Sequence, residues 1–344
     1  MNRRTFLRTS ATGLIGLGTG FSSLFKPSQT RGIGNGPVDR ATCAEFINGP
    51  ISSICTPFKR DGSVSYDGLR SFIDHAIAGD SKTMLLTAGD SHLGCMSDKE
   101  IAEVARVTAE HTAGRALVVA ADDGYATPEA IEFAQYCKSV GVDVVMLKPP
   151  DSFESGTVET FVQHYVEVSR YVPVMLVSNV LGNRGHDFAL EVVRRSIEQS
   201  KSIVSMKNDS GHEFGRNLSR LCQGTGVIPF AGGGKKAHFA VVPVDGGPSY
   251  MSTFQVGAPH ISREYWRATQ AKDLKRAEEI IEQYETPYWD YLKTLQGGWN
   301  AGWHGALELF GVAGRWRRKP YYSLNDEELE GLKQRMIELD ILRS

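Results

Sequence analysis

From Gly49 onward the sequence alternates short apolar runs with amphipathic stretches, and this alternation constrains the fold more than any other feature. The apolar runs are residues 51–57, 83–87, 116–121, 143–147, 173–179, 202–207, 227–231 and 249–254. The earlier runs are nearly continuous in Val, Ile, Leu, Met and Ala, as parallel strands covered on both faces require. Helical spacing fills the intervals. Leu69, Phe72, Ile73, Ala76 and Ile77 share one face, as do Val158, Phe161, Val162, Tyr165 and Val166. Thr127-Pro128-Glu129 predicts a helix start with Thr127 as the N-cap. Eight strands, most followed by a helix, predict a closed parallel (β/α)8 TIM barrel over residues 46–272. A doubly wound open sheet satisfies the same strand count.

After Arg263 the strand pattern stops. A long charged helix is predicted to carry Ala271, Leu274, Ala277, Ile280 and Ile281, and Asn325 with Glu328 resembles a capping box. Residues 273–344 therefore read as a C-terminal helical domain covering one side of the barrel. At the other end, Arg3-Arg4-Thr5-Phe6-Leu7 precedes a glycine-rich apolar stretch too short to span a bilayer. It resembles a twin-arginine export signal, so residues 1–37 are expected to be a signal and linker, and the protein periplasmic or in the cell envelope.

Composition removes several function classes. With 38 basic and 40 acidic residues the formal charge is −2, so neither nucleic acid nor an anionic membrane is an expected partner. No stretch predicts a membrane span. The five cysteines are widely spaced, with no Cys-x-x-Cys pair, and read as small buried hydrophobes. No cofactor and no metal are expected from them.

Several segments together resemble the dihydrodipicolinate synthase / N-acetylneuraminate lyase family. Thr56-Pro57-Phe58 with Asp61-Gly62 is similar to its "TPF…DG" opening, and Met96-Ser97-Asp98-Lys99-Glu100 to its "LSxEE" helix start. Ile203-Val204-Ser205-Met206-Lys207 resembles the strand bearing its Schiff-base lysine. Residues 306–311, with Arg318 and Pro320, resemble its closing segment. The resemblance implies a lyase or aldolase acting on a 2-oxo acid, sugar-derived in one version, assembled as a homo-oligomer (dimer or tetramer). Lys207 would form the imine. An ammonium is not a nucleophile, so burial and a nearby cation, for which Lys148 is a candidate, would be needed to free the amine. Read without the resemblance, Lys207 is equally an ordinary lysine leaving a strand for a polar loop.

The sequence departs from the family where proton transfer is expected. The family's strand-five tyrosine stands as Ser178, its proline as Leu181 and its carboxylate-binding arginine as Asn183, with Arg184 adjacent. The strand-two "GTTGE" loop reads Ala88-Gly89-Asp90-Ser91-His92, which places an anion where a substrate carboxylate is expected. Pro150-Asp151 replaces an aromatic pair. The implied catalytic residues are Lys207, His92 and Ser178; Thr56, Gly89, Asp90, Arg184 and Gly232 are expected to contact substrate. His92 would replace the tyrosine as base, its pKa raised by Asp90; it reads equally as a loop histidine. Two alternatives stand beside the imine lyase. One is a metal-dependent lyase using Asp90, His92, Asp122, Asp123 and Asp209. The other is a non-catalytic solute-binding barrel.

Overall fold

The computed structural model describes residues 38–150 and 155–343; the expected export signal at Arg3-Arg4 and the substitution at Asp151 lie outside the described residues. Eight parallel strands close into a barrel in sequence order. They are β1 (Gly49–Ser53), β2 (Thr83–Leu85), β3 (Leu117–Ala121), β4 (Val144–Leu147), β5 (Val174–Val177), β6 (Ile203–Asn208), β7 (Ile228–Ala231) and β8 (Ser249–Met251). β8 pairs with β1 through Gly49–Ser249, Pro50–Tyr250 and Ile51–Met251, and the Ser249 hydroxyl donates to Gly49 O at 2.7 Å across the seam. The open-sheet alternative is thereby excluded.

The strands are shorter than their apolar runs. β5 ends at Val177 because the chain turns helical at Ser178, forming α6 (Ser178–Gly182) after α1 (Arg40–Phe46), α2 (Tyr66–Ala78), α3 (Asp98–Thr112), α4 (Thr127–Ser139) and α5 (Val158–Val168). The last strand stops at Met251, and Thr253–Gln255 forms a 3-10 turn. Thr127 is not a cap: Ala126 holds that position, and the Thr127 hydroxyl meets His164 Nδ1 at 2.9 Å. The helix α1 had no signal in the apolar pattern. Its Arg40 donates to the carbonyls of Ile197, Ser200, Ile203 and Thr225 at 2.6–3.0 Å, fastening α1 below β6 and β7.

The outer helices continue with α7 (His186–Gln199), α8 (Glu213–Cys222), α9 (Gly234–Asp245) and α10 (Pro259–Gln270). The long helix expected through Ala271 is broken there. Lys272 adopts a left-handed φ of 58°, and Asp273 caps α11 (Leu274–Ile280) by accepting from Arg276 N at 3.0 Å. A π-helical turn, Ile281–Glu285, then leads into α12 (Thr286–Thr294), followed by α13 (Gly298–Leu309) and α14 (Asp326–Glu338). Tyr250, Phe254, Tyr265, Ile280, Tyr288 and Leu292 form an apolar cluster joining these helices to β8.

One arginine gathers most of the segments that carry the family resemblance. Arg318 donates to Gly62 O and Cys95 O, both at 2.7 Å, and to the two oxygens of Glu100 at 2.9 and 2.6 Å. Its guanidinium also lies 5.1 Å from the centre of the Phe58 ring. Glu100 closes a capping box with Ser97 at the start of α3. Phe58, Gly62, Glu100 and Arg318 thus hold the C-terminal segment across the barrel mouth.

The paired hydrogen bonds from Arg318 hold the Glu100 carboxyl down, at about 2 against an ordinary 4.5. A carboxyl lowered in the folded state contributes stability above its unfolded value, and that contribution disappears as the pH falls from 4.5 towards 2. Because solvent reaches the pair, the contribution is on the order of 1–2 kcal/mol. Glu100→Gln should lower urea stability by that amount at pH 7, and the gap to wild type should close as the pH approaches 2. A gap that persists undiminished in acid removes the ionic account of the clamp.

Candidate active site

β6 carries Lys207 to the C-terminal mouth of the barrel, in register with Val177 of β5 and Phe230 of β7. In a (β/α)8 fold this face is where strand-end side chains meet substrate. Lys207 is only 9% exposed, and its Nζ donates to Asp209 Oδ1. The contact made by its amine is thus with a carboxylate. Asp209 Oδ2 is buried and has no partner among the described residues. Gly232 lies directly against this pair. A Cβ there would overlap Asp209 Oδ1 and come within 2.7 Å of Lys207 Nζ. Gly232 shapes the lysine's surroundings by having no side chain.

The strand-two loop brings a second carboxylate. Ser91 Oγ donates to Ile54 O at 2.6 Å and accepts from Thr87 N at 3.0 Å, while Thr87 Oγ1 accepts from Asp90 N at 3.0 Å. These bonds fix the loop to the end of β1 and hold Asp90 in place. Burial pushes the Asp90 carboxyl up; the Ser53 hydroxyl and the Lys207 charge oppose this, and Asp209 adds to it. Thr56 and Ser178 follow β1 and β5 as buried residues whose hydroxyls have no partner among the described residues. Gly89 is exposed, with open space where a Cβ would project.

Beside this group lies a cavity of about 400 Å³. Asp90, Gly232, Ser252 and Thr253 form its barrel side, and Glu285, Trp289, Lys293, Trp299 and Trp303 form its other wall. Trp289 and Trp299 meet edge-on at 5.4 Å between ring centres, and Trp299 and Trp303 lie 6.0 Å apart. Sequence reasoning did not find this wall. Only the tryptophan spacing in α12 and α13 hinted at it, and helical aromatics usually serve a core. None of the cavity-lining residues is a tyrosine.

Of the expected site residues Asp90 and Gly232 line the cavity, Lys207, Thr56, Ser178 and Gly89 do not, and His92 and Arg184 are held by other partners. His92 does not line the cavity; its Nε2 lies 2.9 Å from His304 Nε2 and 3.9 Å from Cys55 Sγ. Burial, then the Arg317 charge, push its pKa down to about 4, the opposite of the rise expected from Asp90. Arg184 lies over the Phe188 ring at 4.6 Å and is not among the cavity-lining residues. Among the described residues the set Asp90, His92, Asp122, Asp123 and Asp209 does not form a metal-ligand cluster. Asp122 accepts from Tyr125 N at 3.0 Å and Lys148 N at 2.7 Å, tying β3 to β4, and burial pushes its carboxyl up to about 7.

The sequence and fold have close counterparts. The dihydrodipicolinate synthetase family pattern matches residues 47–338. The 4-hydroxy-tetrahydrodipicolinate synthase of Polynucleobacter asymbioticus is 31% identical over 243 residues, covering 70% of this chain and 78% of its own length. The chain belongs to the dihydrodipicolinate synthetase family. The corresponding synthase of Methylococcus capsulatus is 29% identical over 249 residues, 71% of this chain and 83% of its own length. Two solved structures share the fold at lower identity. Dihydrodipicolinate synthase from Oceanobacillus iheyensis has a TM-score of 0.74 at 17% identity, over 88% of this chain and 99% of that one. N-acetylneuraminate lyase from Mycoplasma synoviae has a TM-score of 0.72 at 18% identity, over 86% of this chain and 98% of that one.

Within this dihydrodipicolinate synthetase family chain, the match spans the barrel and most of the C-terminal helices. The packing of Gly232 against Lys207 gives a direct test of the site geometry. Gly232→Ala should displace the ends of Lys207 and Asp209 and cost about 1–3 kcal/mol, the range for overpacking. Gly89→Ala, which meets open space, should change urea stability little. Equal losses in the two variants would show that Gly232 does not confine the pair.

Proposed function

We propose that the protein is a lyase that captures a 2-oxo acid, sugar-derived, as an imine on Lys207. One observation carries this reading: a nearly buried lysine amine pairs with a carboxylate that keeps one oxygen unengaged, where Asp90 and Gly232 bring a cavity wall up to it. Membership of a family of lyases and synthases supports it.

The chemistry follows from the residues present. Asp209 accepts a proton from the Lys207 ammonium, which frees the nitrogen lone pair to add to the keto carbon. A proton moves from the adduct nitrogen to the former keto oxygen to give the carbinolamine; Asp209 then returns its proton to that hydroxyl, which leaves as water, and an iminium remains. For cleavage, a carboxylate takes the proton from the hydroxyl β to the imine carbon. The α–β bond breaks, its electron pair moves toward nitrogen to give an enamine, and an aldehyde departs. Asp90 suits this step because burial raises its carboxyl, favouring exchange of a proton nearer neutrality. In this reading Asp209 and Asp90 replace the missing tyrosine, and His92 has no part. The tryptophan wall suits a substrate with a sugar-like chain, whose C–H faces stack on indole rings while its hydroxyls meet Ser252, Thr253 and Glu285.

The test is trapping. Borohydride added with a panel of 2-oxo acids should give a substrate-mass adduct on the wild type and none on Lys207→Ala. Asp209→Asn should slow adduct formation on the order of 10²-fold or more. If no acid gives an adduct but one raises the thermal midpoint, the chain is a solute-binding barrel and the lyase reading fails.

The proposal includes a place in the cell envelope, supported by the leader headed by Arg3-Arg4. Changing both to Lys should leave the protein in the cytoplasm; unchanged fractionation would remove that placement.

A further inference from the structure

Three donor atoms from distant parts of the chain meet behind the tryptophan wall. Cys55 follows β1, His92 begins the 3-10 turn Leu93–Cys95, and His304 lies in α13 beside Trp303. Cys55 Sγ is 3.2 Å from His304 Nε2 and 3.9 Å from His92 Nε2, and the two Nε2 atoms are 2.9 Å apart. The three residues are 0%, 7% and 0% exposed in chain order. His92 reaches this position through a left-handed backbone, φ 55°, which is uncommon for a residue with a side chain.

Hydrogen bonding alone serves this meeting poorly. His304 Nε2 has one in-plane lone pair or one proton, yet both His92 Nε2 and Cys55 Sγ converge on it. If that nitrogen accepts, two donors compete for one lone pair. If it donates, one proton is shared between two partners. His304 Nδ1 is buried without a partner among the described residues, and binding through Nε2 leaves it as the protonated nitrogen. A single ion at the common point uses all three lone pairs at once, with His304 and His92 bound through Nε2. In a tetrahedral site with Zn–N of about 2.0 Å and Zn–S of about 2.3 Å, donor atoms lie roughly 3.3–3.6 Å apart. The observed 2.9–3.9 Å brackets that range, so shifts of about half an ångström complete the geometry.

We propose that Cys55, His92 and His304 bind a transition-metal ion that accepts a thiolate and two imidazoles, zinc or copper. Binding replaces the thiol proton, which leaves to solvent, with a metal–sulfur bond, and no electron is transferred. The donors are buried and none lines the cavity, so the ion acts on packing rather than on substrate; zinc takes a small fourth ligand such as water, and copper(I) is satisfied by three. The ion pins α13 to the ends of β1 and β2, and with it Trp299 and Trp303. The Arg317 charge acts on both histidines and on Cys55. Thiolate-bound Cu⁺ leaves less uncompensated charge beside it than Zn²⁺ does.

The test uses the full chain, purified from cells grown with added zinc or copper and washed with chelator. Elemental analysis should find about one equivalent of zinc or copper per chain, and the metal retained distinguishes the two. Cys55→Ser and His304→Gln should lose it, and Lys207→Ala should keep it, so this proposal can fail independently of the imine reading. Where a variant folds poorly, the stripped wild type supplies the second measurement. Co²⁺ should produce a sulfur-to-cobalt charge-transfer band and raise the thermal midpoint. Wild type that retains neither metal and shows no band with cobalt is a hydrogen-bonded cluster only, and the proposal is overturned.

Discussion

The arrangement of the mouth depends on one buried ion pair, Lys235 with Glu285. The lysine is fully buried and the glutamate is 5% exposed. Unpaired, either charge would face a large desolvation penalty, so the two must stay together. Glu285 ends the π-helical turn before α12 and accepts from Lys235 Nζ and Lys235 N, both at 3.2 Å, and from Lys236 N at 3.1 Å. It therefore serves the first-turn amides at the start of α9, which have no partner within the helix, as well as the ammonium. The lysine also donates to Ser252 Oγ at 3.3 Å and lies 4.4 Å from the centre of the Phe254 ring. A single contact thus fixes the β7 end, the β8 end and the C-terminal helices relative to one another, and Glu285, Ser252 and Gly234 all line the cavity. The extra residue of the π turn places Glu285 where both bonds can form, in keeping with the tendency of such turns to sit at functional positions.

Comparing the two buried lysines shows why only one is proposed as an amine nucleophile. Both pair with carboxylates, so pairing does not distinguish them. Glu285 is engaged through both oxygens by backbone amides and the ammonium, and Lys235 is enclosed by Tyr250, Phe254 and Tyr265. No proton can leave that pair without stranding a charge. Lys207 has one carboxylate contact, and Asp209 retains an oxygen able to receive a proton. An available acceptor, more than burial, separates the amine proposed as reactive from the structural one.

Much of the architecture was legible in the sequence because it rests on local periodicity. Runs of Val, Ile and Leu bounded by turn residues mark buried strands, and all eight appear in the barrel. Their ends were less legible, since the last rungs depend on neighbours in space: Ser178 turns helical while Ser252 still bonds Ile51 O at 3.0 Å. The site was legible only in part. Lys207, Asp90 and Gly232 come together, as their positions at the ends of β6, β2 and β7 suggested. The place of His92 was not legible because it is decided by His304, 212 positions away in a helix with no motif linking the two. The tryptophan wall was missed for the same reason, as its residues become a surface only once α12 and α13 fold over the mouth.

The segments that carry the family resemblance are therefore mainly architectural. Phe58, Gly62 and Glu100 meet Arg318 in a clamp with no carboxylate or amine left for chemistry. The family-specific match in these residues accounts for the shared barrel and its helical cover. The cavity lining is where this chain's own chemistry sits, with Asp90 on the barrel side and the indoles of Trp289, Trp299 and Trp303 on the opposite wall. A barrel tolerates exchange there because strand-end side chains and loops can change while the strand ladder and the clamp hold the frame. Under the imine reading proposed above, proton transfer through Asp209, two residues beyond the lysine, asks for no change in that frame.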